Sequence, residues 1–312
     1  MTPSSLARTV DAPFAAALLE LAAERADIVV LTADLAKWTD LRPFAAAHPD
    51  RFLQLGMAEQ NLIGVAAGIA KSGLLPIAVT YGVFATRRAY DQIAMSMATG
   101  DGHAIVVGFL PGITSRFHGT HQAIDDVALM RALPGATVLD PADADELREA
   151  LRAAAEHTGL VYIRAQRGRV TDLRSEYRDA FAIGPARPLR DGAALGVLGT
   201  GLGTQWALEA VDAGGDVDAS VLHVPTLKPF PVAEVQRYCT RFDRVATVEN
   251  HSVIGGLASA VADSIARAGL GVALTPIGIQ DDWAAYGTVD HIRRELGLDA
   301  ESLAGTLREL AR

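Results

Sequence analysis

Short uninterrupted apolar runs alternate along this chain with longer stretches in which apolar residues recur every three or four positions. The runs predict buried strands and the periodic stretches predict helices. In the first half, strands are expected at 27–33, 75–81, 103–110, 136–139 and 159–164, and helices at 59–72, 87–98, 122–132 and 142–156. Helix 59–72 is the clearest. Leu62, Val65, Ala66 and Ile69 share one face, and Gly73 with Pro76 marks its end. Pro134-Gly135 punctuates the end of 122–132. Charges, Gly and Pro then run without period from Arg167 to Arg190. A second series follows, with strands at 194–198, 219–224, 244–248 and 272–277, and helices at 204–212, 232–239, 253–268 and beyond 289. Near-continuous apolar strands alternating with helices predict an α/β fold of two consecutive parallel-sheet domains. These are placed at 1–180 and 190–312, with a linker at 172–190.

Composition narrows the function. Half of the 312 residues are hydrophobic and 21% are charged, enough apolar surface for a sizeable core. The net charge of −9 argues against nucleic-acid binding, which draws on clustered cations. Only Lys37, Lys71 and Lys228 are lysines, so the positive charge is almost all Arg. Cys239 stands alone, which excludes an intrachain disulfide and a Cys-rich zinc site. Residues 1–10 lack the apolar core and cleavage site of a signal peptide, and no run has the length of a membrane span. The expectation is a soluble, cytoplasmic protein with no membrane or nucleic-acid partner.

Several residues then stand out for their chemistry. Glu59 in Gly56-Met57-Ala58-Glu59-Gln60-Asn61 begins an otherwise apolar helix. It reads either as an N-terminal acid favoured by the helix dipole or as a buried acid-base carboxylate. Tyr81 and Phe84 read as core aromatics or as a stacking surface, and Asp34 as an N-cap or as a ligand group at a strand's carboxyl end. Arg164, Arg167 and Arg169 read as a solvated loop or as an anion grip. His121 precedes a helix and reads as structural or as a proton relay. Gly100-Asp101-Gly102 precedes a strand and reads as a turn.

The run Gly56–Gly73, with Thr80-Tyr81-Gly82-Val83-Phe84, Tyr90-Asp91-Gln92-Ile93 and Thr120-His121-Gln122-Ala123-Ile124-Asp125-Asp126, resembles the pyrimidine-binding domain of transketolases. Pro225-Thr226-Leu227-Lys228-Pro229-Phe230 and Glu249–Leu257 extend the resemblance into the second half, to the C-terminal half of a transketolase. It implies thiamine diphosphate and transfer of a two-carbon ketol unit from a ketose to an aldose; the alternatives are a 2-oxoacid dehydrogenase β subunit or a deoxyxylulose-phosphate synthase-like enzyme, and a non-catalytic scaffold or regulatory subunit. Glu59 then hydrogen-bonds N1′ of the aminopyrimidine and promotes the imino tautomer, whose nitrogen takes the thiazolium C2 proton. Phe84, with Tyr81, stacks on the pyrimidine, Asp34 lies near the cofactor, His121 meets the donor hydroxyls, and Arg167 grips an anionic substrate group, with Arg116 and Arg164 as further cations. The family's Gly-Asp-Gly segment, which holds Mg²⁺ and the diphosphate, ends in an Asn-Asn pair. This chain has only Asn61 and Asn250, so the resemblance assigns the diphosphate and Mg²⁺ to a partner. That partner is an N-terminal transketolase subunit, and an α₂β₂ assembly is expected.

The match departs from the family in three places. A Gly-Glu-Asp-Gly-Pro segment is replaced by Ser115-Arg116-Phe117-His118-Gly119, which puts His118 in the space of an acidic sugar-binding residue. A Ser-His pair gives way to Phe109-Leu110, and a phosphate-binding Ser to the region of Lys37-Trp38. These changes point to an anionic sugar with an unusual chain or head group, a sugar phosphate or sulfosugar.

Overall fold

The structure is a computed structural model that describes residues 6–173, 181–215 and 217–312. The strands, in chain order, are β1 (Leu6–Asp11), β2 (Ile28–Thr32), β3 (Phe52–Gln54), β4 (Leu75–Tyr81), β5 (Ala104–Phe109), β6 (Thr137–Leu139), β7 (Leu160–Ala165), β8 (Arg169–Leu173), β9 (Arg187–Arg190), β10 (Leu195–Gly199), β11 (Ala219–His223), β12 (Thr226–Lys228), β13 (Arg244–Ser252) and β14 (Ala273–Ile279). They form a seven-stranded sheet in the order β12-β6-β7-β5-β4-β2-β3 and a five-stranded sheet in the order β14-β13-β10-β11-β9. Pairing is parallel except at two edges, where β12 runs against β6 and β9 against β11. A separate antiparallel pair joins β1 to β8.

Every residue of β4, β5, β7, β10 and β11 is buried, as expected of parallel strands covered on both faces. One face of the first sheet packs Phe14, Leu18 and Leu21 of the helix Pro13–Glu24 and Leu147 and Leu151 of Ala144–Ala155. The other face meets Leu62, Ile63 and Ala66 of the helix Glu59–Lys71 and runs on into Leu222, Val235 and Val261 of the second half. No helix among the described residues is long and apolar enough to cross a membrane.

Register positions the site. Tyr81 pairs with Phe109, and Phe109 with Ala165, so β4, β5 and β7 end level. The segments that leave these ends form one rim, together with the one that leaves β2. Open parallel sheets bind ligands at this edge.

Several expected boundaries shift for identifiable reasons. The helix expected at 122–132 is Asp126–Ala132, because the carbonyls of Ala123 and Ile124 accept from Gly112 and Ser252 instead of starting a helix. The helix expected at 253–268 is Leu257–Ala268, because the Glu249 carboxylate accepts from the amides of Leu257 and Ala258 at 2.7 and 2.8 Å. The helix expected at 87–98 is broken into a π-helical turn Phe84–Arg88, a short helix Tyr90–Gln92 and a second π-helical turn Ile93–Ala98. The stretch expected to be a linker holds β8 and β9 at its ends, and residues 174–180 lie outside the described residues. Gly100-Asp101-Gly102 lies in a turn before β5, at the amino end of the sheet and away from the rim.

Candidate active site

Glu59 is the first residue of its helix, where the dipole favours a carboxylate, and it is 2% exposed. Its Oε2 accepts from Arg88 Nη1 at 2.7 Å. The same Arg88 guanidinium lies over the Phe84 ring, 4.5 Å from its centroid. The π-helical turn brings Phe84 and Arg88 together, and such turns recur at functional sites. Tyr81 stacks beside Phe84 with centroids 5.9 Å apart, and the His121 ring stands edge-on to Phe84 at 5.2 Å. These side chains, with Ala33, Leu35, Met57 and Thr120, line a mostly apolar cavity of about 380 Å³. Burial, with the Arg88 charge as a smaller cause, holds His121 below the ordinary histidine range. Its ring is therefore neutral at pH 7, able to accept at one nitrogen and donate at the other. Thr120 Oγ1 lies 2.9 Å from its Nδ1.

Leu35, Tyr81 and His121 form the wall shared with a second cavity of about 510 Å³. Arg116, Phe117, Trp38 and Arg167 line its outer part. Two cations approach Trp38, with Lys37 Nζ and the Arg167 guanidinium each 4.5 Å from the centroid of the indole ring. No ion pair engages Arg116 or Arg167 among the described residues. Leu110, on the same wall, holds a left-handed backbone (φ +57°), a strained state for a branched side chain.

Four residues of the expected site lie outside the two cavities. Arg164 lines neither cavity. It is buried between the two sheets, with Nε 2.9 Å from Asp126 and Nη1 3.0 Å from Asp140, and Nη2 donates to the Asn250 carbonyl. Burial opposes its charge, and the two carboxylates more than offset that. Its partners are 38 and 24 residues distant in sequence, so its place in a strand end looked like an exposed position. His118 stacks on Tyr286 at 5.1 Å rather than lining either cavity. Asp34 (φ +59°) accepts from Gln54 Nε2 at 2.9 Å and lies at the rim beside the lining residues Ala33 and Leu35. Arg169 pairs with Asp11.

The sequence reading of Arg88, like that of Arg87, is a cap or a pairing at a subunit interface, with no catalytic role. The spacing of Arg88, four from Phe84 on one side of a helical turn, is the signal that could have found it. Arg87, its neighbour, instead donates from Nε to both carboxylate oxygens of Asp125, at 3.0 and 2.8 Å.

No group of three or more His, Cys, Asp or Glu side chains able to hold a metal occurs among the described residues. An apolar cavity with a buried carboxylate on its wall fits the aminopyrimidine end of thiamine diphosphate, and the described residues offer no such cluster for a metal. The family model of the transketolase pyrimidine binding domain matches residues 8–172, and that of the transketolase C-terminal domain matches 184–303. The chain belongs to the transketolase family. Membership implies a thiamine diphosphate-dependent enzyme. A transketolase family protein of Sinorhizobium fredii is 43% identical over 96% of this chain and 88% of its own length. A 6-deoxy-6-sulfo-D-fructose transketolase subunit of a Clostridium species is 38% identical over 94% and 91%. A solved structure described as a split-gene transketolase, inactive β4 tetramer, superposes with a TM-score of 0.83 at 35% identity, covering 96% of this chain and 98% of that one.

Proposed function

We propose that this chain is the C-terminal subunit of a two-chain transketolase that moves a two-carbon ketol unit from an anionic ketose to an aldose. The observation that carries this reading is the half-site. A buried carboxylate and an aromatic face line one apolar cavity, and no metal-ligating cluster accompanies them among the described residues. An N-terminal subunit supplies the diphosphate and Mg²⁺ site, in an α₂β₂ assembly. The relative described as an inactive β4 tetramer supports both self-association and inactivity without a partner.

Bound thiamine diphosphate supplies the carbanion chemistry. Glu59 holds a proton at the pyrimidine N1′, and burial at the helix start keeps water from competing for it. Phe84, with Tyr81, orients the ring. Neutral His121 hydrogen-bonds the ketol hydroxyls at the wall shared by the two cavities. Arg116 and Arg167 bind the anionic end of the sugar in the second cavity, where a planar guanidinium gives two parallel charge-assisted bonds to a phosphate or sulfonate. Trp38 holds Arg167 there by stacking. The sulfosugar named for the Clostridium relative supports a sulfonated or phosphorylated ketose as donor.

Calorimetric titration with thiamine diphosphate and Mg²⁺ tests the split. Binding is expected only when this chain is combined with a subunit carrying the diphosphate segment. Tight binding by this chain alone would refute the division. Turnover of 6-deoxy-6-sulfo-D-fructose and of a ketose 6-phosphate by the pair tests the substrate class. Glu59→Gln is expected to abolish that turnover while leaving the fold intact. Near-normal turnover by the variant would sink the role given to Glu59.

A further inference from the structure

We infer that the second half of the chain positions the catalytic loop: the segment 281–286 braces the His121 loop, with Trp283 as a positioning residue acting through Gly119. The inference rests on the proposed role of His121 at the ketose.

The loop leaves β5 at Leu110 and returns at Gln122. Its base is pinned from β13, where Asn250 Oδ1 accepts from Ile113 N and Asn250 Nδ2 donates to the Pro111 carbonyl, both at 3.0 Å. Among the described residues its outer limb makes only local backbone-to-backbone bonds, such as His121 N to the His118 carbonyl at 3.1 Å. Three contacts from the segment 281–286 hold that limb. Tyr286 stacks on His118 at an interplanar angle of 22°. Gln122 Nε2 donates to the Ala285 carbonyl at 3.3 Å. Trp283 lies against Gly119, so close that a Cβ there would stand 2.7 Å from the indole Cε3. Gly119 does not have a left-handed backbone, so this proximity is what excludes a side chain. The Arg87 guanidinium covers the same indole at 5.0 Å and donates to the Gly119 carbonyl at 3.0 Å.

Trp283 is 53% exposed, so core burial does not account for it. Gly119 stands two residues from His121, whose ring lies between Phe84 and Phe117 at 5.2 and 5.0 Å. A shift of the loop at Gly119 therefore moves His121 relative to Phe84, and through it relative to Glu59. The second half thereby acts on the ketose site without touching it.

A double-mutant cycle tests this on the full chain by hydrogen exchange and on the paired enzyme by kinetics. Gly119→Ala drives a methyl into the indole. It is expected to strip protection from the peptide spanning 113–124 and to raise the KM for 6-deoxy-6-sulfo-D-fructose roughly tenfold, as a misplaced binding group does. Trp283→Ala is expected to loosen the same peptide. Gly119→Ala added to Trp283→Ala should then be silent, because the methyl has nothing left to meet. Trp283→Phe should retain most of the protection, and thiamine diphosphate affinity should move less than the ketose KM in every variant. Additive effects of the two alanine changes would overturn the inference, as would unchanged loop protection in both single variants. A coupled exchange cycle with an unmoved ketose KM would overturn the positioning role. The exchange cycle needs no substrate. If it is coupled while the paired enzyme turns over no ketose, the proposed function fails and the brace stands.

Discussion

Arg88 makes both contacts that the proposed function assigns to the aminopyrimidine: it donates to Glu59 and covers the face of Phe84. A ring that takes those contacts must move the guanidinium away. Removing Arg88 beforehand should therefore weaken the unloaded chain and tighten cofactor binding by the same amount. A hydrogen bond to a charged group contributes about 1.5–3 kcal/mol, and a cation over an exposed ring about 0.5–1. The Arg88 side chain is 50% exposed while Glu59 is buried, so solvent screening puts the sum near the lower end, at about 2 kcal/mol. That corresponds to roughly thirtyfold in affinity. Arg88→Ala should lower the urea stability of the unloaded chain by about 2 kcal/mol. Titration of the paired enzyme with thiamine diphosphate should show a dissociation constant about thirtyfold smaller. His121 should also titrate higher, because a nearby positive charge that disfavours its proton is gone. Equal or weaker cofactor binding by Arg88→Ala would show that Arg88 stays on Glu59 in the loaded site and does not make way for the pyrimidine.

Other outcomes follow from the same contacts. Arg167→Gln should raise the KM for a sulfonated or phosphorylated ketose about tenfold and leave thiamine diphosphate affinity alone, since one bidentate grip is lost; an unchanged KM would remove Arg167 from the anion site. Arg164→Met leaves Asp126 and Asp140 buried without their cation and should cost about 3–5 kcal/mol in urea unfolding; a loss below about 1 kcal/mol would mean the pair contributes little. Burial, opposed by Asp126 at 3.9 Å, pushes His251 down to about 4. The unfolded chain then binds the extra proton from about pH 6.5 downward, while the native chain does so only near pH 4. Its contribution is present in full above pH 6.5 and lost by about pH 4, about 3 kcal/mol in all. His251→Gln should flatten the acid side of the stability profile relative to the unsubstituted chain, and parallel profiles would refute the assignment.

The parts of the fold visible in the sequence are those where one local property suffices. β4 and β5 are apolar along their whole length because both faces are covered, and a continuous run says so without reference to any partner. The helix Glu59–Lys71 shows its stripe and its Gly73 stop within a single stretch. The edges were not visible. β1 finds β8 more than 150 residues away, and β12 crosses from the second half to the first sheet. Each of these strands is short or polar, and what makes it a strand is a distant partner that the rest of the chain supplies.

The arginines show why the site was only partly legible. Arg87, Arg88, Arg116, Arg164 and Arg167 carry the same fork of donors, and all lie within or beside motifs that point to anion or cofactor chemistry. Their functions diverge through what each meets. Arg164 sits inside a fully buried strand and is taken up by two carboxylates. Arg87 is held by Asp125 and the brace, and Arg88 rests on Glu59. Arg116 and Arg167 remain to face a cavity. A guanidinium desolvated with its own carboxylates gains nothing from a substrate anion, whereas one in contact with water and stacked on Trp38 keeps its donors available. Motif spacing identifies which residues are candidates. The depth of the strand end on which each stands decides which of them a sugar anion can reach, and here β7 ends its buried stretch between Arg164 and Arg167.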